Sequence, residues 1–434
     1  MQAHPDSAVA ADPARDALYR KIAKHFLPLL CLCLVAAYLD RVNVGFAKLQ
    51  MLDDLNFSNT IYGFGAGIFF LGYVLFEVPS NIFLHKVGAR MWIARIMITW
   101  GVIGAGMAFV KTPTEFYILR FLLGVAEAGF IPGVLYFLSC WFPSARRGKM
   151  IALLLAAVPL SSVIGGPLSG WILSSFADVG GLRAWQWLFL IETIPSVLLG
   201  YAVIRMLSDK PSDAHWLSSE EAAIVTDDIT KEAARNQSHS SMASAFKSGI
   251  VWQLTIAYFC IVSAVYVLIF WLPTLIKQHG VTNPVHIGLL TAIPYFAAVV
   301  VSIYNNSMAD KHRERRWHTA VPCAVTAIGL ALAGMHFDSL VVTMLILTVT
   351  AAAASTTQAA FWSVPPTFLN GAAAAAGIAL INSVGNIGGM VSTSVVGWIT
   401  DVTGNSQDSL ILFGGMLLLS VVLVLKLPAR LVNH

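Results

Sequence analysis

Runs of apolar residues recur along the whole chain, each near the ~20 residues that cross ~30 Å of hydrocarbon at about 1.5 Å per residue. Twelve such runs stand between charged or turn-rich breaks, at about 26–48, 61–84, 92–110, 115–140, 150–174, 186–207, 251–276, 286–308, 318–336, 340–361, 371–399 and 409–428. Each predicts a membrane-spanning helix. The one long polar break, about 208–250, separates six spans from six. Inside it, Ser218 stands three residues before Glu221, a capping-box spacing, and opens a helix-compatible stretch with few apolar residues. The expected organisation is a flexible tail over 1–25, a six-helix bundle over 26–207, a linker with a short surface helix over 208–250, a second bundle over 251–428 and a tail over 429–434. Two internal matches, NIFLHKVGAR (81–90) with NSMADKHRER (306–315) and GWI at 170–172 with GWI at 397–399, have similar offsets and support two similar halves. The fold class is therefore all-α integral membrane, with twelve transmembrane helices in two pseudo-symmetric six-helix bundles.

Composition agrees with this pattern. Of 434 residues, 57% are hydrophobic and 12% charged, with a mean hydropathy of +0.72, where a soluble protein carries about 25% charge. The net charge of +4 matters less than its placement. With both ends cytoplasmic, twenty of the 27 Lys and Arg residues fall on that side, and only Lys48, Lys111, Arg183 and Lys277 on the other. This satisfies the positive-inside rule, and the inverted topology would reverse it. The first 25 residues lack the apolar core and cleavage site of a signal peptide. The five cysteines lie in or beside apolar runs and suggest neither a disulfide framework nor a metal site. No GxxxxGK[ST], HExxH or CxxC motif is present, so no cofactor is expected, nucleotide hydrolysis in this chain is excluded, and the chain does not read as an enzyme. The basic loops need no nucleic acid to explain them.

Candidate chemistry comes from ionisable residues inside spans, each of which costs roughly 2.5–3.5 kcal/mol at mid-membrane. They are Asp40 and Arg41 in the first span, Glu77 in the second, Arg120 and Glu127 in the fourth and Glu192 in the sixth. Asp40 lies roughly 21 Å from the cytoplasmic start of its span, and Arg120 and Glu127 roughly 8 and 18 Å from the outer start of theirs, so the depths overlap. Arg120 and Glu127 are two turns apart on one face. A cavity with cations for an anion and carboxylates for protons fits this set, and a purely structural charge network, Asp40 with Arg120 for instance, is the alternative. In the second span Phe69, Tyr73, Glu77 and Asn81 form one stripe, with Tyr73 at cavity depth and Glu77 placed as a gate or as the ion-pair partner of cytoplasmic arginines. Glu192, among Trp185, Trp187 and Phe189, reads as a packing residue. Asn382 and Asn386 face one way on a glycine-rich eleventh span, and Tyr266, Phe270 and Trp271 form an aromatic stripe on the seventh. Pro159 and GGPLSG (165–170) predict a kink or a close helix contact in the fifth.

The residues YLDRVNVGFA (38–47), GFGAGIFFLGYVLFEVPSN (63–81), HKVGARMWIARI (85–96), RFLLGVAEAGFIPG (120–133), WQWLFLIETIPS (185–196), ADKHRERRWH (309–318) and INSVGNIGG (381–389) resemble the major facilitator superfamily, and within it the anion:cation symporter family. The chain is similar to bacterial tartrate, phthalate and hydroxyphenylacetate permeases. The resemblance implies a monomer with the major facilitator fold in the bacterial inner membrane, importing a small organic acid with protons. It also implies that Asp40 and Glu127 take protons and that Arg41, Arg120, Tyr38, Tyr73, Asn382 or Asn386 line the cavity, joined on the aromatic argument by Tyr266 and Trp271. The loops holding Lys86, Gly88 and Arg90, and Asp310, Lys311 and Arg315, are its gating elements, with His85 where the superfamily usually has an acid. The competing expectations are a proton-driven exporter of apolar compounds and a uniporter or sensor of the same acids.

Overall fold

A computed structural model describes residues 13–235, 246–335, 337–369 and 371–433, all helix, turn and loop. Among the described residues, eleven helices are long and apolar enough to cross a membrane: α1 (Pro13–Leu55), α2 (Asn59–Val87), α3 (Ala89–Phe109), α4 (Pro113–Trp141), α5 (Ser144–Ser175), α6 (Ala184–Met206), α7 (Gly249–Gln278), α8 (Pro284–His312), α10 (Leu340–Thr367), α11 (Ala376–Thr403) and α12 (Asp408–Leu425). Between α8 and α10 lies α9 (Arg316–Ala333). The sequence predicts α9 as a full span, but its 18 residues open with Arg316, Trp317 and His318, so polar groups enter the only window a helix of that length has. Its packing against α10 and α12 is nonetheless that of the other spans.

One expectation is corrected at the N-terminus. A flexible tail to residue 25 does not hold from Pro13 onward, where the chain is already α1. Leu18, Ile22 and Phe26 recur every fourth residue and are buried, so the apolar stripe extends below the membrane run. Residues 1–12, 236–245 and 434, which fall in the predicted tails and linker, lie outside the described residues. The linker helix, Ser219–Arg235, is held against this extension of α1: Asp228 accepts from Tyr19 Oη at 2.9 Å and pairs with Arg15, and Glu221 pairs with Lys21 at 2.7 Å. Ser218 and Glu221 make the reciprocal bonds of a capping box, at 3.1 and 2.9 Å.

Helices α1–α6 pack as α1 with α5 and α6, α3 with α6, and α2 with α4. Helices α7–α12 repeat the scheme as α7 with α11 and α12, α9 with α12, and α8 with α10. The joins between the sets obey the same pseudo-symmetry, α2 with α11, α5 with α8, and α1 with α7. Both symmetric seams are lined by glycine. A Cβ on Gly63 would fall 2.3 Å from the Thr393 carbonyl oxygen, and one on Gly288 would fall 2.2 Å from that of Gly166, so only hydrogen fits. These contacts lie toward the face opposite the linker. There Asp401 also accepts from the Asn59 and Thr60 backbone N–H groups at 3.0 and 2.7 Å and from Asn59 Nδ2 at 3.1 Å, and Lys277 Nζ donates to the Leu49 carbonyl at 2.8 Å. That end of the molecule is closed.

Two interruptions place side chains. Helix α4 stops at Glu127 and restarts at Phe130 across Gly129, whose φ of +89° suits only glycine without strain. The freed Ala128 carbonyl accepts from Ser80 Oγ at 2.6 Å. Helix α5 breaks at Ala156, next to the residue that Pro159, lacking an N–H, cannot bond four positions back.

Candidate functional site

Helix α1 carries Tyr38, Asp40, Arg41, Asn43 and Lys48 through the centre of the molecule, and all but the half-buried Tyr38 are buried. Arg41 sits at the junction of the two helix sets. Its Nε donates to Glu127 Oε1 at 2.7 Å, its Nη2 lies 2.5 Å from the same oxygen, and its Nη1 donates to Tyr266 Oη on α7 at 3.2 Å. The rings of Tyr38, Phe69 and Tyr73 surround the guanidinium at 5.0 to 5.4 Å, a cation–π cage around a charge-assisted bond. The α4 break directly after Glu127 turns the chain away and leaves this carboxylate at the helix end.

Asp40, one position earlier, points elsewhere, as the ~100° step of a helix requires. Its Oδ2 accepts from Trp100 Nε1 at 2.8 Å and Ser196 Oγ at 2.7 Å, and its Oδ1 is buried without a partner. The alternative pairing of Asp40 with Arg120 is not formed. Arg120, 2% exposed, instead donates to the Gly65 and Ala66 carbonyls at 3.3 and 3.2 Å and lies 5.0 Å from the Phe69 ring. The Phe69 ring links it to the Arg41 cage.

Antiparallel α1 and α6 bring a second carboxylate into register. Asp40 meets Ser196, and Asn43, one turn along α1, lies against Glu192, one turn along α6. Glu192 accepts from Ser169 Oγ at 2.7 Å, while its Oε2 and Asn43 Oδ1 are buried without partners. The packing reading of Glu192 accounts for its 1% exposure. It does not account for these bare oxygens.

Glu77 takes neither the arginine partners expected of it nor a place in the cage. Its oxygens accept from Asn382 Nδ2 at 3.0 Å and Ser383 Oγ at 3.3 Å, which ties α2 to α11. Asn386 Nδ2 donates to the Asn382 backbone carbonyl at 2.9 Å and to the Asn382 side-chain Oδ1 at 3.3 Å. Of the aromatic pair on α7, the structure brings Tyr266 to Arg41 and does not bring Trp271 there. Five residues turn Trp271 well away and carry it ~7.5 Å toward the closed face, where it meets Tyr62 at 5.3 Å between ring centroids. In the first predicted gating loop Gly88 has φ +96°, and a Cβ there would strike the Asp209 carboxylate, which accepts from the Arg90 N–H at 2.8 Å. Lys86 is exposed. In the second, Asp310 and Lys311 are exposed, and the Arg315 N–H donates to Asn433 Oδ1 at 3.1 Å.

Sequence reasoning missed Trp100, Ser196 and Ser169 as partners of the carboxylates, and it missed the burial of Lys48. Lys48 had one available signal, its position seven residues, two turns, after Arg41 on the same helix face.

The model of the Major Facilitator Superfamily matches residues 30–393. The chain belongs to this superfamily. It is a multi-pass membrane transport protein rather than an enzyme. It is 51% identical over 424 residues to a Pseudomonas putida protein provisionally named metabolite transport protein NicT, covering 98% of this chain and 97% of that one. It is 45% identical over 424 residues to an Agrobacterium vitis protein provisionally named a tartrate transporter, covering 97% and 94%. An Acinetobacter baumannii protein named a quinolone resistance transporter is 39% identical over 414 residues, covering 95% of each chain. Among solved structures, a bacterial homologue of the human lysosomal transporter Spinster, in an inward-facing and unoccupied conformation, aligns with a TM-score of 0.73 at 16% identity, covering 94% of this chain and 96% of that one. That likeness is one of fold.

Proposed function

We propose that the protein is an inner-membrane importer of a small organic acid anion, tartrate-like, sugar acid or aromatic carboxylate, driven by proton symport with alternating access. The observation that carries this reading is the Arg41–Glu127 pair in its aromatic cage, where one cation is held by one carboxylate across from the second helix set. A carboxylate cargo reaching Arg41 competes with Glu127. Protonation of Glu127 removes that competitor, so proton and anion favour the same loaded state. Asp40, buried and bonded only to neutral donors, is the second proton site, and Tyr38, Tyr73 and Tyr266 give the cargo stacking and hydroxyl contacts. Glu77 with Asn382 is a gate between α2 and α11. The termini and linker are cytoplasmic in this reading, so the closed face is the outer one, and the transporter acts as a monomer. One proton per monoanion is electroneutral, whereas a second moves a net charge, worth about 2.3 kcal/mol per 100 mV.

The test is external pH in a lightly buffered, energy-depleted suspension of expressing cells after pulses of tartrate, a sugar acid, phthalate, 4-hydroxyphenylacetate and nicotinate. One acid should give a transient alkalinisation that Asp40→Asn abolishes. Concentrative, protonophore-sensitive uptake by Asp40→Asn equal to wild type overturns the coupling role. The quinolone-resistance relative favours a second reading, export of apolar compounds. Drug extrusion that survives Arg41→Gln, with no response to any acid, would select it.

A further inference from the structure

Above the Arg41 cage, at the closed face, lies a cavity of about 430 Å³ lined by Lys48, Asp53, Asn59, Thr274, Lys277 and Gln278 among others. Three polar groups in or beside this lining are buried without a hydrogen-bond partner. Lys48 is 5% exposed, and its Nζ has no hydrogen-bond partner, only the faces of Tyr62 and Trp271 at 4.8 and 4.4 Å. Trp271 Nε1 and Thr274 Oγ1, three residues apart on α7, are likewise buried and unbonded. A buried donor left unmade is costly, and an ammonium and an indole N–H can only donate, so they are completed by a group that accepts, such as a carboxylate, to which the Thr274 hydroxyl can donate as well. The acids nearby do not complete them. Asp401 is engaged by Asn59 and Thr60, Asp54 accepts from Trp185, and Asp53 stands on the exposed rim. The volume lies within the range of small-molecule sites.

The geometry points to a second anion site, a vestibule in which Lys48, Lys277 and Thr274 hold a small carboxylate before it reaches Arg41. This rests on the reading of the cargo as a carboxylate anion. Lys48 and Arg41 are two turns apart on one face of α1, roughly 10 Å along the axis, so the two cations form a ladder from the closed face to the central cage. The barrier between them is the seam of α1 and α7: Lys277 is bonded across it to Leu49, and Lys48 is covered by Trp271 from the far side. Parting of α1 from α7 opens the way along α1 from Lys48 to Arg41 for the anion held in the vestibule. Trp271 thereby belongs to the entrance and not to the central site.

The experiment is equilibrium binding of radiolabelled tartrate, phthalate and nicotinate to the purified full-length chain. Arg41→Gln, which disables the central site, should retain binding of at least one acid. Lys48→Met added to it should weaken that binding tenfold or more, the order expected for losing a charge-assisted bond, and Lys48→Arg should restore it. Absence of binding by a monodisperse Arg41→Gln protein, or binding indifferent to Lys48→Met, overturns the vestibule. A second measurement separates a site from a seal in otherwise native protein: Lys48→Met and Lys277→Met should raise KM for uptake from the closed face about tenfold while leaving KM from the linker face unchanged. Equal changes on both sides overturn the proposal. If wild type moves none of the acids while Arg41→Gln still binds one through Lys48, the cargo reading fails and the site stands. If wild type transports an acid that Arg41→Gln does not bind, the site fails and the cargo reading stands.

Discussion

Arg41 can serve one carboxylate at a time through a given edge of its guanidinium, and Glu127 now holds that edge. Replacing Glu127 by Gln keeps the shape and removes the competing charge. We expect Glu127→Gln to bind cargo at least as tightly as wild type, with an affinity that changes less with pH, and to lose uptake driven by a pH gradient. Titrating binding against pH checks this, and a wild-type pH dependence would refute it. A different imbalance surrounds Asp40, where Asp40 Oδ1, Asn43 Oδ1 and Glu192 Oε2 are buried acceptors with no donor. Two carboxylates in one sealed layer do not both ionise cheaply, and a single added donor relieves the layer. Glu192→Gln supplies an amide donor and removes a charge, so it should stabilise the solubilised protein by about 1–3 kcal/mol, read as a raised midpoint in thermal unfolding. A lowered midpoint would mean that the layer is already satisfied.

At the scale of the helix, the unusual elements are those that place chemistry. The α4 break and the α5 break interrupt regular bonding inside a membrane, which is tolerated where a neighbouring group takes the freed carbonyl, as Ser80 does for Ala128. The glycine seams serve another purpose. They let α2 meet α11 and α5 meet α8 at backbone distance, and this contact is the closed face. A methyl on Gly63, directed at the Thr393 carbonyl from 2.3 Å, cannot be absorbed by a rotamer change because the obstacle is backbone. Gly63→Ala should therefore part the seam and raise the alkylation rate of a cysteine placed at Asn59. An unchanged rate would show that the helices slide without opening.

For the whole molecule, the question is which end is shut and how strongly. Asp401 gathers donors from Asn59 and Thr60 at the start of α2, two of them backbone groups that no rearranged side chain could replace. Asp401→Asn weakens charge-assisted bonds worth about 1.5–3 kcal/mol each, and every 1.4 kcal/mol moves a two-state population about tenfold. The expected outcome is a longer distance between spin labels on α1 and α7 at the closed face, with the linker face drawing together. A distribution identical to wild type would place the closing energy in the glycine seams alone.

The fold was legible because a bilayer imposes its own ruler: span length, loop charge and the central linker follow from hydropathy and the positive-inside bias without knowledge of any contact. The ionisable residues of α1 and α4 were legible for the same reason, since charge in hydrocarbon demands an explanation. What hydropathy could not give was pairing. Whether Arg41 or Arg120 meets Glu127, whether Glu77 faces an arginine or Asn382, and whether Trp271 joins Tyr266 all depend on helix rotation and on which helices touch. The residues of α1 below 26 looked like tail because their partner, the linker helix, lies about two hundred positions away in the chain. Lys48 counted in the sequence as a loop charge, and only the approach of α2 and α7 buried it. The sequence by itself determined where the apolar helices lie and where charge is forced into the membrane; the tertiary structure decided which charges meet, because helix rotation is set by packing between segments far apart in sequence and not by the periodicity of any one of them.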